Sequence, residues 1–387
     1  MRTIKILDTT LRDGEQCLDT SLSIADKLTI AQHLEKLNVD IIEAGFPVAS
    51  NDEFLAVKRI SEIIEGPVIS AVGRLVLKDI DQCWEAVKQA QHPRIHTFIA
   101  TSPLHMEYKL HKTPSQVLNL IASSVSYAKN LCEDVEFTAE DASRSDLNFL
   151  SEVIETAIDN GSTTVNIPDT VGYAQPEEFG ELIKNLLKTI PKLANVTLSV
   201  HCHNDLGLAV ANSLAGIKNG ALQVECTING LGERAGNASL EEIVMALKTR
   251  LEYYQVKTSI KTEELFRTSR LVSSLTGYEV QNNKAIVGKN AFVHKSGIHQ
   301  HGILKNRETY EIMNPETVGW EGNTIIISKH SGQHAIIDLL QKHNISYTDD
   351  EITAIFREVK LFTDQNKSIS NEKVIEIAQR INSSRLT

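Results

Sequence analysis

Short apolar runs rich in β-branched residues recur along this chain, and between them lie longer segments whose apolar positions return every three or four residues. The first pattern predicts buried strands and the second amphipathic helices. Strands are predicted at Ile4–Asp8, Asp40–Phe46, Val68–Val72, Ile95–Ala100, Val135–Glu140, Thr164–Pro168, Thr197–His201 and Gln223–Ile228. Helical periodicity fills the gaps, at Ser23–Leu37, Asp79–Ala90, Pro114–Leu131, Asn148–Asn160, Pro176–Lys188, Leu208–Asn219 and Leu240–Leu251. Strand-then-helix units in this succession predict an α/β fold, a (β/α)8 TIM barrel, over an open doubly wound sheet. An open sheet would place a glycine-rich phosphate turn after its first strand. Here that turn reads TTLRDGEQ, with a charged pair instead.

The alternation stops near Leu251. Residues 1–255 are therefore expected to form a catalytic barrel, and 256–387 an appended C-terminal helical region covering the barrel mouth. Its helices are predicted at Thr262–Leu275, Ser331–His343, Asp349–Thr363 and Glu372–Asn382, with a Gly/His-rich stretch at Gly288–Gly302.

Composition narrows the class. A net charge of −11 leaves no basic footprint for nucleic acid. Five cysteines without a CxxC pair predict neither a disulfide framework nor a structural zinc site, and point to a reducing, cytoplasmic setting. The N-terminus has no apolar signal region, and no apolar run is long enough to span a membrane.

In a parallel barrel the C-terminal strand ends carry the chemistry. Those positions hold Arg12 and Asp13, Glu43, Arg74, His96 and Thr101, Glu140 and Asp141, Asp169 and Thr170, His201 and His203, and Asn229. His201 and His203 stand two apart on one strand, so both imidazoles can face one ion. A carboxylate, with Asp13 the nearest candidate, would leave positions open on a divalent metal. The plainer reading is a pair of capped strand-end histidines. Glu140 is either a general base or a partner of Arg144 or Arg74. The glycines of Asn229–Asn237 let backbone approach a ligand or simply pack tightly. His294, His299 and His301 in FVHKSGIHQHG are either a solvated cluster or an acid/base group.

LRDGEQ followed ten residues later by Lys27, LSVHCHNDLGLAVA at Leu198–Ala211, and NGLGERAGN at Asn229–Asn237 together resemble the metallolyase family that includes 2-isopropylmalate, homocitrate and citramalate synthases. The resemblance runs on through VEFTAEDASR, NIPDTVGY and NKAIVG, and IEAGFPVAS, IHTFIATSP and GIHQ are most similar to the isopropylmalate branch. It implies a Claisen-type condensation of acetyl-CoA, as co-substrate, with a 2-oxoacid, 2-oxoisovalerate first among them. Citramalate, homocitrate and methylthioalkylmalate synthases and the acyl-CoA lyases are the alternatives. It also implies a divalent metal (Mn2+, or Mg2+ or Zn2+) held by Asp13, His201, His203 and Asn237. Arg12 would stabilise oxyanion charge, and His96 and Thr170 would line the oxoacid pocket. Glu140, His299 and Tyr310 would handle proton transfer and thioester hydrolysis, and Gly230, Gly232 and Gly236 would lie where acetyl-CoA approaches. A homodimer is expected on the same ground. Family members carry a further C-terminal leucine-binding domain; none is evident here, so no leucine feedback is expected. They also read HQDG where this chain has His301.

Overall fold

A computed structural model describes residues 1–322, 325–366 and 369–383. Eight parallel strands close into a barrel: β1 Lys5–Asp8, β2 Ile41–Gly45, β3 Val68–Arg74, β4 Pro93–Ala100, β5 Val135–Glu140, β6 Thr164–Asp169, β7 Thr197–Cys202 and β8 Gln223–Cys226. Closure is made by β1 against β8, from Lys5 opposite Gln223 to Asp8 opposite Cys226. The helices that follow each strand in turn are α1 Ile24–Leu37, α2 Asn51–Ile63, α3 Leu77–Val87, α4 Pro114–Leu131, α5 Leu147–Asp159, α6 Pro176–Thr189, α7 Ala209–Lys218 and α8 Leu240–Thr249. The predicted strands are all present, and β8 ends earlier than predicted because Ile228–Gly230 turns back.

The period of two along each strand divides the molecule's interior. Ile95, Phe137, Val165, Val200 and Val224 point outward and are fully buried beneath the helices. The alternate positions point into the barrel and are mostly polar. At the lower level Arg94 donates to Glu136 at 2.8 Å, and Gln223 donates to Glu136 at 2.7 Å and to Ser199 at 3.0 Å. Two residues further along the same strands stand His96, Thr138, Glu225 and His201, the floor of the candidate site. Helix starts are set locally: Ser23 and Asp26 form a capping box on α1, and Thr113 and Gln116 another on α4.

The barrel unit runs Met1–Val280, past the boundary at 255 expected from the sequence. Val256 and Lys257 pair in parallel with Arg2 and Thr3, and α9 (Leu265–Thr276) packs on α1, so residues 256–280 belong with the barrel. The second unit, Gln281–Thr387, contains α10 Gly297–Lys305, α11 Gln333–Lys342, α12 Asp349–Gln365 and α13 Asn371–Ser383. It has its own apolar core, with Ile336, Leu340, Ile355, Val374 and Ala378 fully buried. Among the described residues no helix is long and apolar enough to cross a membrane.

Candidate active site

At the C-terminal end of the barrel lies an open cavity of about 310 Å³ whose lining includes Arg12, Asp13, His96, Glu140, Thr170, His201 and His203. Strands β1, β4, β5, β6 and β7 thus each deliver one or more of the side chains nominated from the sequence. Asp13, His201 and His203 are all buried, and their ligand atoms fall within 4.8 Å of one another. The two Nε2 atoms are 3.0 Å apart, and His203 Nε2 is 3.7 Å from Asp13 Oδ2. Asn237 closes the group by donating from Nδ2 to Asp13 Oδ1 at 2.8 Å, while its buried Oδ1 has no hydrogen-bond partner.

Charge in this cluster is arranged for a cation. Burial alone would raise the Asp13 carboxyl; Arg12 and the two imidazoles outweigh it and hold the group well below the usual carboxylate range. Burial pushes both His201 and His203 down to about 4, so at neutral pH they are uncharged and keep a lone pair to donate. An orphaned amide oxygen, an ionised carboxylate and two neutral imidazoles fit a divalent metal.

Beside the cluster, Arg12 donates from Nε to Glu43 Oε2 at 2.6 Å and from Nη1 to Asp13 Oδ2 at 2.7 Å. Glu43 also accepts from Thr9 at 2.6 Å and contacts His96 Nδ1 at 2.6 Å. His96 Nε2 lies 2.7 Å from Thr138 Oγ1, which accepts from Asn166 at 3.0 Å. Burial opposes charge on His96, but Glu136 and Glu43 push it up to about 9, so it is cationic and donates from both ring nitrogens.

The remaining candidates divide. Glu140 faces the cavity and pairs with Lys109 at 2.5 Å, rather than with Arg144, which binds Asp141, or Arg74, which binds Asp79. Thr170 lines the cavity, and its Oγ1 accepts from the Asp141 amide at 3.0 Å. Asn229 turns away to Ser269. The three loop glycines all have positive φ, and at two of them packing decides the residue. A Cβ on Gly232 would collide with Asn237 Nδ2, and one on Gly236 with the Gly230 carbonyl. In the second unit His299 and Tyr310 stack with centroids 4.0 Å apart, and His301 meets His334 edge-on at 4.2 Å. His294 pairs with Glu311 at 3.1 Å.

Sequence reasoning missed Glu225, whose Oε2 lies 2.8 Å from His201 Nδ1, along with Thr138, Asn166 and Arg234. A carboxylate inside the apolar run of β8 was the available signal.

A parallel barrel with a two-histidine, one-carboxylate cluster at its C-terminal end defines a metal-type TIM-barrel protein. Residues 3–272 match the family described as HMGL-like, and residues 286–367 the homocitrate synthase post-HMGL domain. The 2-isopropylmalate synthase of Dictyoglomus turgidum is 56% identical over 374 residues, covering 97% of this chain and 74% of that protein. That of Pyrococcus furiosus is 54% identical over 378 residues, covering 98% and 76%. In fold, the hydroxymethylglutaryl-CoA lyase of Pseudomonas aeruginosa superposes with a TM-score of 0.62 at 18% identity, covering 72% of this chain and 95% of that one. The chain belongs to the HMGL-like family and, within it, to the 2-isopropylmalate synthases.

Proposed function

We propose that this protein condenses acetyl-CoA with a 2-oxoacid, 2-oxoisovalerate in particular, and hydrolyses the thioester to give 2-isopropylmalate and free CoA. The observation that carries this reading is the buried Asp13–His201–His203 cluster, with Asn237 Oδ1 unpartnered and Arg12 at its edge. Asp13, His201, His203 and Asn237 would hold a divalent cation, Mn2+ the best candidate, which when bound supplies Lewis-acid polarisation of the oxoacid carbonyl. Arg12, fixed by Glu43 and Asp13, presents positive charge where the carbonyl oxygen becomes an alkoxide. His96, charged and anchored between Glu43 and Thr138, offers a second cation in the same cavity for the oxoacid carboxylate. Glu140 removes a proton from the acetyl methyl. The resulting carbanion bonds to C2 of the oxoacid, and water then cleaves the C–S bond of the thioester. The roles of His299 and Tyr310 in proton transfer and hydrolysis, and of Gly230, Gly232 and Gly236 beside acetyl-CoA, rest on the family resemblance alone, as does a cytoplasmic homodimer.

The apolar lining residues Phe46, Val72, Phe98 and Pro168 favour a branched aliphatic substituent over a second carboxylate. One methylene in such a pocket changes discrimination by only about 1–3 kcal/mol, so the preference is graded. The test is release of CoA thiol from acetyl-CoA with Mn2+ and a panel of 2-oxoacids. Preference for 2-oxoisovalerate, lost in His203→Ala, is expected; preference for pyruvate or 2-oxoglutarate would overturn the substrate.

A further inference from the structure

Arg234 sits in the loop after β8 with φ +56, a left-handed conformation that costs a residue with a Cβ and is usually left to glycine. Three glycines and Asn229, whose short polar side chain tolerates this region, take the other positive-φ positions of the loop, so a long-chain residue at 234 calls for a reason in its side chain. Its guanidinium grips Asp205 with both arms, Nε to Oδ1 at 2.8 Å and Nη2 to Oδ2 at 2.9 Å. Nη2 also donates to the Thr170 carbonyl at 2.8 Å. One side chain therefore joins the loops after β6, β7 and β8.

A glycine in the loop after β6 shows how closely those loops meet. Gly172 has φ +58, and a Cβ there would collide with Asp205 and approach the His203 carbonyl. The joint then continues across the mouth. Thr170, held by its carbonyl, accepts the Asp141 amide on its hydroxyl at 3.0 Å, and Asp141 immediately follows Glu140. Exposed ion pairs ordinarily add little to stability. This one is bidentate and reaches a backbone carbonyl, a geometry that a lysine ammonium cannot reproduce.

We propose that Arg234 is a positioning residue for proton abstraction: by tying Asp205 to the Thr170 carbonyl it fixes the Thr170–Asp141 contact and so the end of β5 that carries Glu140. The proposal rests on the reading of Glu140 given above and adds a residue to it. A displacement of about 1 Å at a reacting group can cost 100-fold in rate, which sets the scale of the effect.

The experiment uses the full chain with Mn2+ and compares wild type, Arg234→Gly and Arg234→Lys. Glycine removes the side chain and also relieves the left-handed backbone, so a fall in activity without a fall in stability separates positioning from folding. The expected result is unchanged thermal unfolding and Mn2+ affinity, KM for 2-oxoisovalerate within about threefold, and kcat lowered about 10–100-fold in both variants. The isotope effect on kcat with methyl-deuterated acetyl-CoA should grow, because the misplaced base makes proton removal slower. Wild-type kcat, an unchanged isotope effect, or a kcat loss that follows lost metal or lost stability would each overturn the proposal. A wild-type chain that releases no thiol with any 2-oxoacid would instead overturn the reading of the site, and this proposal with it.

Discussion

At the scale of single residues, the site is governed by the balance of burial and charged neighbours at each ionisable group. His201 and His203 are pushed down to about 4 and His96 up to about 9, from an ordinary value of 6.5. The two senses act on stability in opposite directions. The unfolded chain protonates its imidazoles below pH 6.5, whereas the cluster refuses protons until about 4; that contribution is whole above 6.5 and lost as the pH falls through about 4. His96 holds its proton when the unfolded chain has released it, so its contribution is whole below 6.5 and lost as the pH rises through about 9. The urea midpoint of the metal-free protein, taken relative to that of a His96→Gln variant, should therefore fall between pH 6.5 and 9; a difference that rises or stays level over that range would contradict the assignment. Glu225 makes a second residue-scale prediction. It sets the ring of His201 from behind, and such outer partners are worth about 10–100-fold in metal affinity. Glu225→Ala should weaken Mn2+ binding by that factor in a titration followed by electron paramagnetic resonance, and unchanged affinity would show that the ring is oriented by something else. Arg12, Asp13, His201 and His203 were legible in the sequence because they form polar interruptions at strand ends. Glu225 was not, since period-two alternation marks a side chain as inward-facing but does not say what it meets there. Asn237 became a candidate only through the family motif, because it reaches Asp13 by a loop whose path no local pattern encodes.

Elements were easier to read than contacts. Every barrel strand coincides with an apolar β-branched run, and every barrel helix except α2, for which no segment was predicted, with a periodic one, because each has one face that must be buried. Residues 256–280 were harder to place, since their attachment depends on pairing Val256 with Arg2 from the far end of the chain. The Gly/His-rich stretch hid helix α10, whose composition carries little amphipathic signal. Between elements, Lys27 shows how the first loop is held. It lies on α1, 1% exposed, donates to the Leu11 carbonyl at 3.4 Å, and pairs with Glu15 at 2.5 Å and with Glu53 on α2. Glu53 in turn accepts the Phe46 amide at 3.3 Å, so a single ammonium joins the Arg12–Asp13 loop to the loop after β2. Removing one partner of a buried pair leaves the others uncompensated and costs about 3–5 kcal/mol. Lys27→Met should lower unfolding stability by roughly 3 kcal/mol in urea, and a change below about 1 kcal/mol would mean that the carboxylates find water instead.

For the whole molecule, the decisive contact is the one that shuts the barrel. Strand β1 has β8 as a neighbour, and the Ile228 amide donates to Thr10 Oγ1 at 2.9 Å across 218 residues of chain. The Asp13–His201–His203 cluster with Asn237 straddles this seam: Asp13 comes from one side of it, Asn237 from the other, and they meet through a hydrogen bond of 2.8 Å spanning 224 residues. During synthesis, then, the first strand emerges with an open edge and must wait for the last before its own ladder is complete. Contacts so distant along the chain carry a large loop-closure cost and slow the search for the native state. The metal-type cluster is consequently among the last things this protein can assemble, and a nascent chain carries its aspartate long before it has a place to bind an ion.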